Sequence, residues 1–259
     1  PHGRVQAADV TAALKSQPEG QTTTISGRPA QVVPLAGMRR TIAERMTASF
    51  HDIPHIALTI ETDATALEAA QKRLSQLAEK DGAGKVTLTA LLVKIIAWAL
   101  ERNPYINASL IDGQIYLWQD INIGVATAIP EGLIVPVLHQ ANHKSIRDIT
   151  LALQDLTSRA RAGRLTLTDV QHGTFTISNL GMFGIRQFRA VINPPESAIL
   201  AVGTVVRKPV VINDQDEVAV RPVINITLSA DHRVVDGVVA ARFLADLVQG
   251  IETPVALMY

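Results

Sequence analysis

The stretch Ser229-Ala230-Asp231-His232-Arg233-Val234-Val235-Asp236-Gly237 sets the fold of the C-terminal third of the chain. Apolar residues alternate with other residues before it and predict a strand over about 217–230. Residues 237–249 predict the last helix, with Asp236 in the position of an N-cap. His232 therefore follows a strand on rigid structure. Imidazole, with an ordinary pKa of about 6.5, is the side chain best suited to take a proton from a thiol or hydroxyl near neutral pH.

Outward from this motif, strands and helices alternate along most of the chain. Periodicity and capping residues predict helices over 37–50, 65–79, 88–102 and 145–162, and strands near 56–62, 106–111, 114–118, 120–128, 133–138, 173–178 and 197–205. Several strands follow one another as in hairpins, which is typical of a mixed sheet. The pattern predicts an α/β sandwich in which helices cover one mixed sheet.

Composition narrows the possible functions. The chain has 259 residues, of which 47% are hydrophobic and 19% charged, so it can bury a core. Equal numbers of acidic and basic residues argue against a surface for nucleic acid. The most apolar helix, about 88–100, contains Lys94 and is too short for a bilayer, so no membrane partner is expected. Cysteine is absent, and His139, His143 and His172 have no partners at metal-ligand spacing, which predicts no metal site.

Three motifs occur together in one order along the chain. Gly173-Thr174-Phe175-Thr176-Ile177-Ser178-Asn179-Leu180-Gly181 comes first, Ile192-Asn193-Pro194-Pro195 second and the His232 motif last. With them, roughly residues 33–259 resemble the catalytic domain of dihydrolipoamide acyltransferases, the E2 core components of 2-oxo acid dehydrogenase complexes. The stretches 179–184 and 228–237 look most like the pyruvate, or acetyl, branch. The resemblance implies a two-layer sandwich like that of chloramphenicol acetyltransferase, in a homotrimer with active sites between subunits.

The implied reaction is acyl transfer between coenzyme A and a dihydrolipoyl group. It needs a base for the incoming thiol and a donor for the oxyanion, but no metal. The resemblance assigns the base to His232 and the oxyanion donor to Ser178. Asp236 matches the acid of the motif, and its role is expected to be mainly structural, either as the N-cap of the last helix or through an arginine. Arg39 and Arg40 are the candidate partners, and the sequence does not choose between them.

Four residues are candidates for the substrate and coenzyme A channel. Arg39 and Arg40 could contact the phosphates of coenzyme A, or could equally be solvated helix residues. His55 follows Ile53-Pro54 at a strand start and is expected to pack or hydrogen-bond near the channel rather than to titrate in catalysis. Asn179 directly follows Ser178.

Residues 1–15 are similar to the tail of a peripheral-subunit-binding domain, 16–32 read as a linker, and 33–259 form the predicted catalytic domain. The resemblance implies an upstream domain that carries the lipoyl group, with E1 and E3 components bound through the upstream binding domain. The apolar tail 254–259 is expected to join trimers into a cubic or icosahedral core. A bacterial cytoplasm, or alternatively the mitochondrial matrix, is the expected location.

Two other functions stay open at this stage. One is a non-catalytic scaffold subunit of such a complex, against which the presence of both His232 and Ser178 argues. The other is a free-standing small-molecule acetyltransferase, which needs neither the remnant 1–15 nor an apolar tail. Acetyl, succinyl and branched-chain groups differ by a few carbons and a carboxylate, so the acyl group and the subunit number stay undecided.

Overall fold

The computed structural model describes residues 31–254 except for residues 81, 83 and 131. Contacts divide the chain into two compact units, the second of which spans Ala36–Tyr259. All helices and strands that the structure describes lie in this second unit. The predicted binding-domain remnant 1–15, nearly all of the linker 16–32, and residues 255–259 of the tail lie outside the described residues.

A seven-stranded mixed sheet forms the centre of this unit. Its order is β1-β11-β9-β8-β4-β7, with β10 paired to the outer part of β11. The pairs β4–β8 and β8–β9 are parallel, and the others are antiparallel. These strands are β1 (His55–Asp63), β4 (Ile123–Val125), β7 (Val137–Leu138), β8 (Phe175–Asn179), β9 (Ala198–Val202), β10 (Val206–Val211) and β11 (Val218–Asp231). Two separate hairpins pair β2 (Ala108–Ile111) with β3 (Gln114–Leu117), and β5 (Thr127–Ile129) with β6 (Gly132–Ile134).

The helices are α1 (Gly37–Asp52), α2 (Thr65–Lys80), α3 (Leu88–Arg102), α4 (Ile146–Arg161) and α5 (Gly237–Glu252). Most of α3 is buried, because its sequence is apolar on nearly every side. It begins where the Thr87 side chain accepts a hydrogen bond from the amide of Ala90, and it ends at Asn103. The predicted limits of this helix are confirmed.

The two faces of the sheet differ in chemistry. On β11, Ile224, Ile226 and Leu228 join the hydrophobic core, in which Phe175 meets Phe243 of α5 edge to face at 5.7 Å. The opposite face carries hydroxyl groups, including those of Thr59, Thr227, Thr176 and Ser178. Thr59 and Thr227 are hydrogen-bonded across β1 and β11 at 2.9 Å. One face therefore anchors the helices, and the other holds polar groups, among them the predicted oxyanion donor.

The predicted α/β architecture is confirmed, and three details of the prediction are wrong. The single strand predicted over 120–128 is two strands, β4 and β5, because the chain changes sheets after Val125. The single strand predicted over 133–138 is likewise two strands, β6 and β7, because the chain returns from the small hairpin to the central sheet after Ile134. Strand β10 was missed. Its sequence Val206-Arg-Lys-Pro-Val-Val contains charges and a proline, which lower strand propensity. Pairing with β11 at the edge of the sheet accommodates Pro209, which has no amide to donate.

Candidate active site

His232 lies in a turn directly after β11. The amides of Val234 and Val235 both donate to the carbonyl of Asp231, at 3.0 and 2.8 Å, and so close the turn. The amide of His232 donates to the carbonyl of Pro54 at 3.0 Å, which ties the turn to the segment before β1. The His232 side chain is exposed at this point of the chain. The backbone of His232 is therefore fixed, while its imidazole makes no hydrogen bond to the residues that the structure describes.

The carboxylate of Asp231, buried to 3% exposure, holds this turn through Arg233. The guanidinium Nη2 donates to Oδ2 at 2.7 Å and Nε donates to Oδ1 at 3.0 Å, while the Arg233 amide also donates to Oδ1 at 3.0 Å. These hydrogen bonds raise the pKa of Arg233, and burial opposes them. Sequence reasoning missed this pair. The sequence places an acid and an arginine on either side of His232, but that spacing alone does not show that the two side chains meet.

Asp236 is the N-cap of α5, as the capping interpretation predicted. Its Oδ1 accepts hydrogen bonds from the amides of Val238 and Val239, at 2.9 and 2.8 Å. The alternative partnership with an arginine does not appear among the contacts of the described residues. Arg40 instead pairs with Glu44 one turn along α1 at 2.8 Å, and Arg39 lies exposed on the same helix. Coenzyme A contacts at Arg39 and Arg40 stay predictions.

His55 begins β1 directly opposite Asp231 of β11, beside the His232 turn. Its Nε2 accepts a hydrogen bond from the amide of Ile192 at 3.1 Å, and its Nδ1 lies 2.8 Å from the carbonyl of Ile53. An amide can only donate, so Nε2 carries no proton and Nδ1 is the donor. Both ring nitrogens are thus engaged by the backbone. His55 is therefore hydrogen-bonded beside the His232 turn, and its expected place near the substrate channel stays a prediction.

Ser178 is half-buried near the end of β8, on the polar face of the sheet. The next residue, Asn179, uses its amide in local contacts. Its Oδ1 accepts from the amide of Gly181 at 2.9 Å, and its Nδ2 donates to Thr89 Oγ1 of α3 at 3.2 Å. Asn179 thereby anchors the turn that ends β8. Its predicted contact with the substrate channel stays a prediction.

The sheet register separates Ser178 from His232 within one chain. Ser178 pairs with Ala201 of β9, and Ala201 pairs with Thr227 of β11, five residues before His232. A strand rises about 3.3 Å per residue and neighbouring strands lie about 4.8 Å apart, so the two residues are roughly 19 Å apart. Groups that act on one reacting carbon must lie within a few ångströms of it. A single copy of the chain cannot bring both side chains to one carbon.

The described residues contain no cluster of three or more histidine, cysteine or acidic residues that could hold a metal ion. Among the helices of residues 31–254 that the structure describes, none has both the length and the apolar character needed to cross a membrane.

Comparison with known proteins finds relatives of one family. Residues 27–259 match the family model of the 2-oxoacid dehydrogenases acyltransferase (catalytic domain). The acetyltransferase component of the pyruvate dehydrogenase complex of Zymomonas mobilis is 38% identical over 269 residues, covering 100% of this chain and 60% of that protein. The chain spans about 60% of the length of the curated relatives it matches.

Solved structures of the same family as the sequence relatives also resemble this chain. The dihydrolipoamide acetyltransferase of Azotobacter vinelandii superposes with a TM-score of 0.85 at 33% identity, covering 90% of this chain and 96% of that one. The cubic core of a pyruvate dehydrogenase multienzyme complex gives 0.85 at 32%, with 90% and 96% covered. Chloramphenicol acetyltransferase, at 14% identity and a TM-score of 0.50, shares the fold, which confirms the predicted architecture. The chain belongs to the family of 2-oxoacid dehydrogenase acyltransferase catalytic domains.

Proposed function

We propose that this chain is the catalytic core of a 2-oxo acid dehydrogenase complex and transfers an acyl group, acetyl in the first instance, between dihydrolipoamide and coenzyme A. The observation that carries the proposal is the free imidazole of His232, presented on a turn whose backbone is bonded on both sides. Family membership supplies the reaction class. The separation of Ser178 from His232 supports sites that lie between neighbouring copies, and the homotrimer is what the family resemblance implies.

In the proposed reaction His232 takes the proton of the incoming thiol as the sulfur attacks the thioester carbonyl carbon. The carbonyl oxygen becomes an oxyanion, to which the Ser178 hydroxyl of a neighbouring copy donates a hydrogen bond. The bond from this carbon to the leaving sulfur then breaks, and the leaving thiolate takes the proton back from His232. A positioned base contributes about 100- to 10,000-fold. Loss of an oxyanion donor costs about 3 to 4 kcal/mol.

Comparison with the Azotobacter vinelandii enzyme supports the choice of these residues. There, a serine, a histidine and an asparagine were investigated for their role in the catalytic mechanism. The three occur in the same order as Ser178, His232 and Asp236, and the third follows the histidine by four positions, as here. This chain has aspartate where that protein has asparagine. Both residue types are good N-caps, so the capping role of Asp236 is compatible with either.

The test is an acyl-transfer assay in which free coenzyme A is separated from the acyl-coenzyme A donor by chromatography. Dihydrolipoamide accepts the acyl group, and acetyl-, succinyl- and isobutyryl-coenzyme A are compared as donors. We expect acetyl to be the best donor, and His232→Ala to lower turnover at least about 100-fold. His143→Ala is the matched control, because His143 is an exposed histidine outside the site. Full turnover by His232→Ala would contradict the proposed mechanism.

The non-catalytic scaffold is the second candidate function. A scaffold subunit requires neither a free imidazole on a fixed turn nor a hydroxyl on the polar face of β8. If the wild-type chain assembles but transfers none of the three acyl groups, the chain is a scaffold subunit and the catalytic proposal is wrong.

We also propose that trimers assemble further through the apolar tail 254–259, with the lipoyl group and the binding sites for E1 and E3 on upstream segments. The apolar composition of the tail supports this assembly, because exposed apolar segments usually mark contact surfaces. Deletion of residues 254–259 is expected to leave trimers, measured by light scattering. An unchanged particle size after the deletion would contradict the role of the tail.

A further inference from the structure

Glu196 is a buried carboxyl group that the proposed reaction does not use. It is only 3% exposed. Thr176 Oγ1 donates to its Oε2 at 2.6 Å, and Asn193 Nδ2 donates to its Oε1 at 3.0 Å. Burial raises the pKa of this carboxyl to about 7, although both hydrogen bonds act to lower it. Burying an acid costs free energy, and among the described residues the partners of the Glu196 carboxyl are neutral, so we expect this carboxyl to have a role.

One partner of Glu196 belongs to the strand that carries the proposed oxyanion donor. Thr176 lies two residues before Ser178 on β8, and alternate residues of a strand point to the same face. The Glu196 carboxyl is therefore hydrogen-bonded to β8 at the residue that precedes Ser178 on the same face of the strand. The side chain of Glu196 also packs against Gly173, where an added Cβ would come within 3.0 Å of Oε1.

The other partner belongs to the loop 192–197, which bonds to the His232 turn directly at its end and, at its start, to His55, the residue opposite Asp231. At its start, the Ile192 amide donates to Nε2 of His55, and the Ile192 carbonyl accepts from Ser49 Oγ at 2.6 Å. At its end, the Ser197 carbonyl accepts the amide of Asp231 at 2.8 Å, next to His232. The backbone of Glu196 itself bonds to Asn193, since its amide donates to the Asn193 carbonyl at 3.1 Å.

We infer that Glu196 is a positioning residue, which fastens β8 to the loop 192–197 and so fixes Ser178 and the His232 turn of the same chain relative to each other. This inference rests on the proposed function. In the proposed trimer the Ser178 and His232 of one copy serve different active sites. Glu196 therefore holds one chain in the shape that two neighbouring sites require. Displacing a reacting group by about 1 Å can cost about 100-fold in rate.

Three substitutions separate this role from a general effect on folding. Glu196→Ala removes both hydrogen bonds, and Thr176→Val removes only the one to β8. Glu196→Gln keeps the shape, since its Oε1 can accept from Asn193 and its Nε2 can donate to the Thr176 hydroxyl. Thr150→Val is the matched control. It removes a buried hydroxyl that bonds to Ile146 inside α4, away from the site.

We expect Glu196→Ala and Thr176→Val to lower kcat about tenfold or more while KM for coenzyme A stays within about twofold. Glu196→Gln and Thr150→Val should keep kcat within about threefold of the wild type. If Glu196→Ala does not fold, Thr176→Val decides the question, because it removes a single hydroxyl. Wild-type kcat in folded Thr176→Val and Glu196→Ala, or a kcat loss in Glu196→Gln as large as that in Glu196→Ala, overturns the inference.

A double-mutant cycle with Ser178→Ala tests whether Glu196 acts through Ser178. If it does, adding Glu196→Ala to Ser178→Ala should lower kcat by less than it does in the wild type. Equal losses in both backgrounds would overturn positioning of Ser178. Failure of the proposed function has a different signature, in which Ser178→Ala and His232→Ala both retain wild-type turnover. If those two variants lose turnover and Glu196→Ala does not, the positioning role alone is wrong.

Discussion

Glu196 also makes the stability of the protein depend on pH. Its folded-state pKa of about 7 lies above its ordinary value of 4.5, because burial disfavours the charged form. Below pH 4.5 the carboxyl is protonated in both the folded and the unfolded chain, and its contribution to stability is fully present. As the pH rises to 7, the unfolded chain releases the proton while the folded chain still holds it, so this stability is lost.

Glu196→Gln should remove that dependence, since glutamine does not titrate. The free energy of unfolding of the variant, minus that of the wild type, should rise by about 3 kcal/mol between pH 4.5 and pH 8. Urea unfolding at several pH values and one protein concentration measures it. Taking the difference at each pH cancels the other groups, which titrate in both proteins. A difference that stays constant across this range would contradict the raised pKa.

Asp236 permits a test of capping that is separate from catalysis. Asp236→Ala removes the acceptor for the amides of Val238 and Val239, so we expect a loss of about 1 kcal/mol of unfolding free energy. Asp236→Asn, its control, should stay within a few tenths of a kcal/mol of the wild type because asparagine caps equally well. Thermal or urea unfolding gives both values. Equal loss in the two variants would mean that the carboxylate charge, rather than the cap, matters at this position.

The individual residues differ in how far the sequence predicts them. The position of His232 after a strand and the cap at Asp236 could be predicted, because both follow from where a strand ends and a helix begins. The catalytic role of His232 came from the resemblance and stays a prediction. The pair of Asp231 with Arg233 could not, since strand alternation does not say which charged side chain near a turn folds back. Glu196 gave no signal at all. An acid after two prolines is typical of an exposed loop. The burial of Glu196 depends on β8 and β9, which meet only in the folded sheet.

At the scale of the element, the turn 231–235 is the feature that presents His232. Arg233→Met keeps most of the length of the side chain but leaves the buried Asp231 carboxylate without its charged donor. We expect a loss of about 2 kcal/mol of unfolding free energy and a drop in kcat of about tenfold, with KM little changed. Arg242→Met, an exposed arginine on α5, is the control for loss of a positive charge. Unaltered kcat in Arg233→Met would show that the turn holds its shape without this pair.

The helices were easier to predict than the strands of the sheet. Helix α3 has an apolar sequence between a threonine cap and an Asn-Pro stop, so local information sets both of its ends. Strand β10 has no such local signature, because Arg207, Lys208 and Pro209 lower its strand propensity. It forms because its backbone pairs with β11. The break between β4 and β5 likewise depends on which neighbour each strand pairs with, which is a property of the whole sheet.

At the scale of the whole molecule, mixing two inactive variants tests whether each site draws on two copies. Ser178→Ala subunits still supply His232, and His232→Ala subunits still supply Ser178. In a ring of three, every mixed trimer contains one intact pair out of three, so random mixing in equal amounts should restore about a quarter of wild-type turnover. Each variant alone, taken through the same unfolding and refolding, is the control. No recovery on mixing would contradict sites shared between copies.

The span of roughly 19 Å between Ser178 and His232 has a consequence for how this protein loses activity. A dissociated subunit could keep its sheet, its helices and its melting curve and still turn over no substrate. Specific activity would then fall with dilution well before any spectroscopic sign of unfolding, and concentrating the sample would bring it back. For this chain, inactivation and denaturation would be separate events.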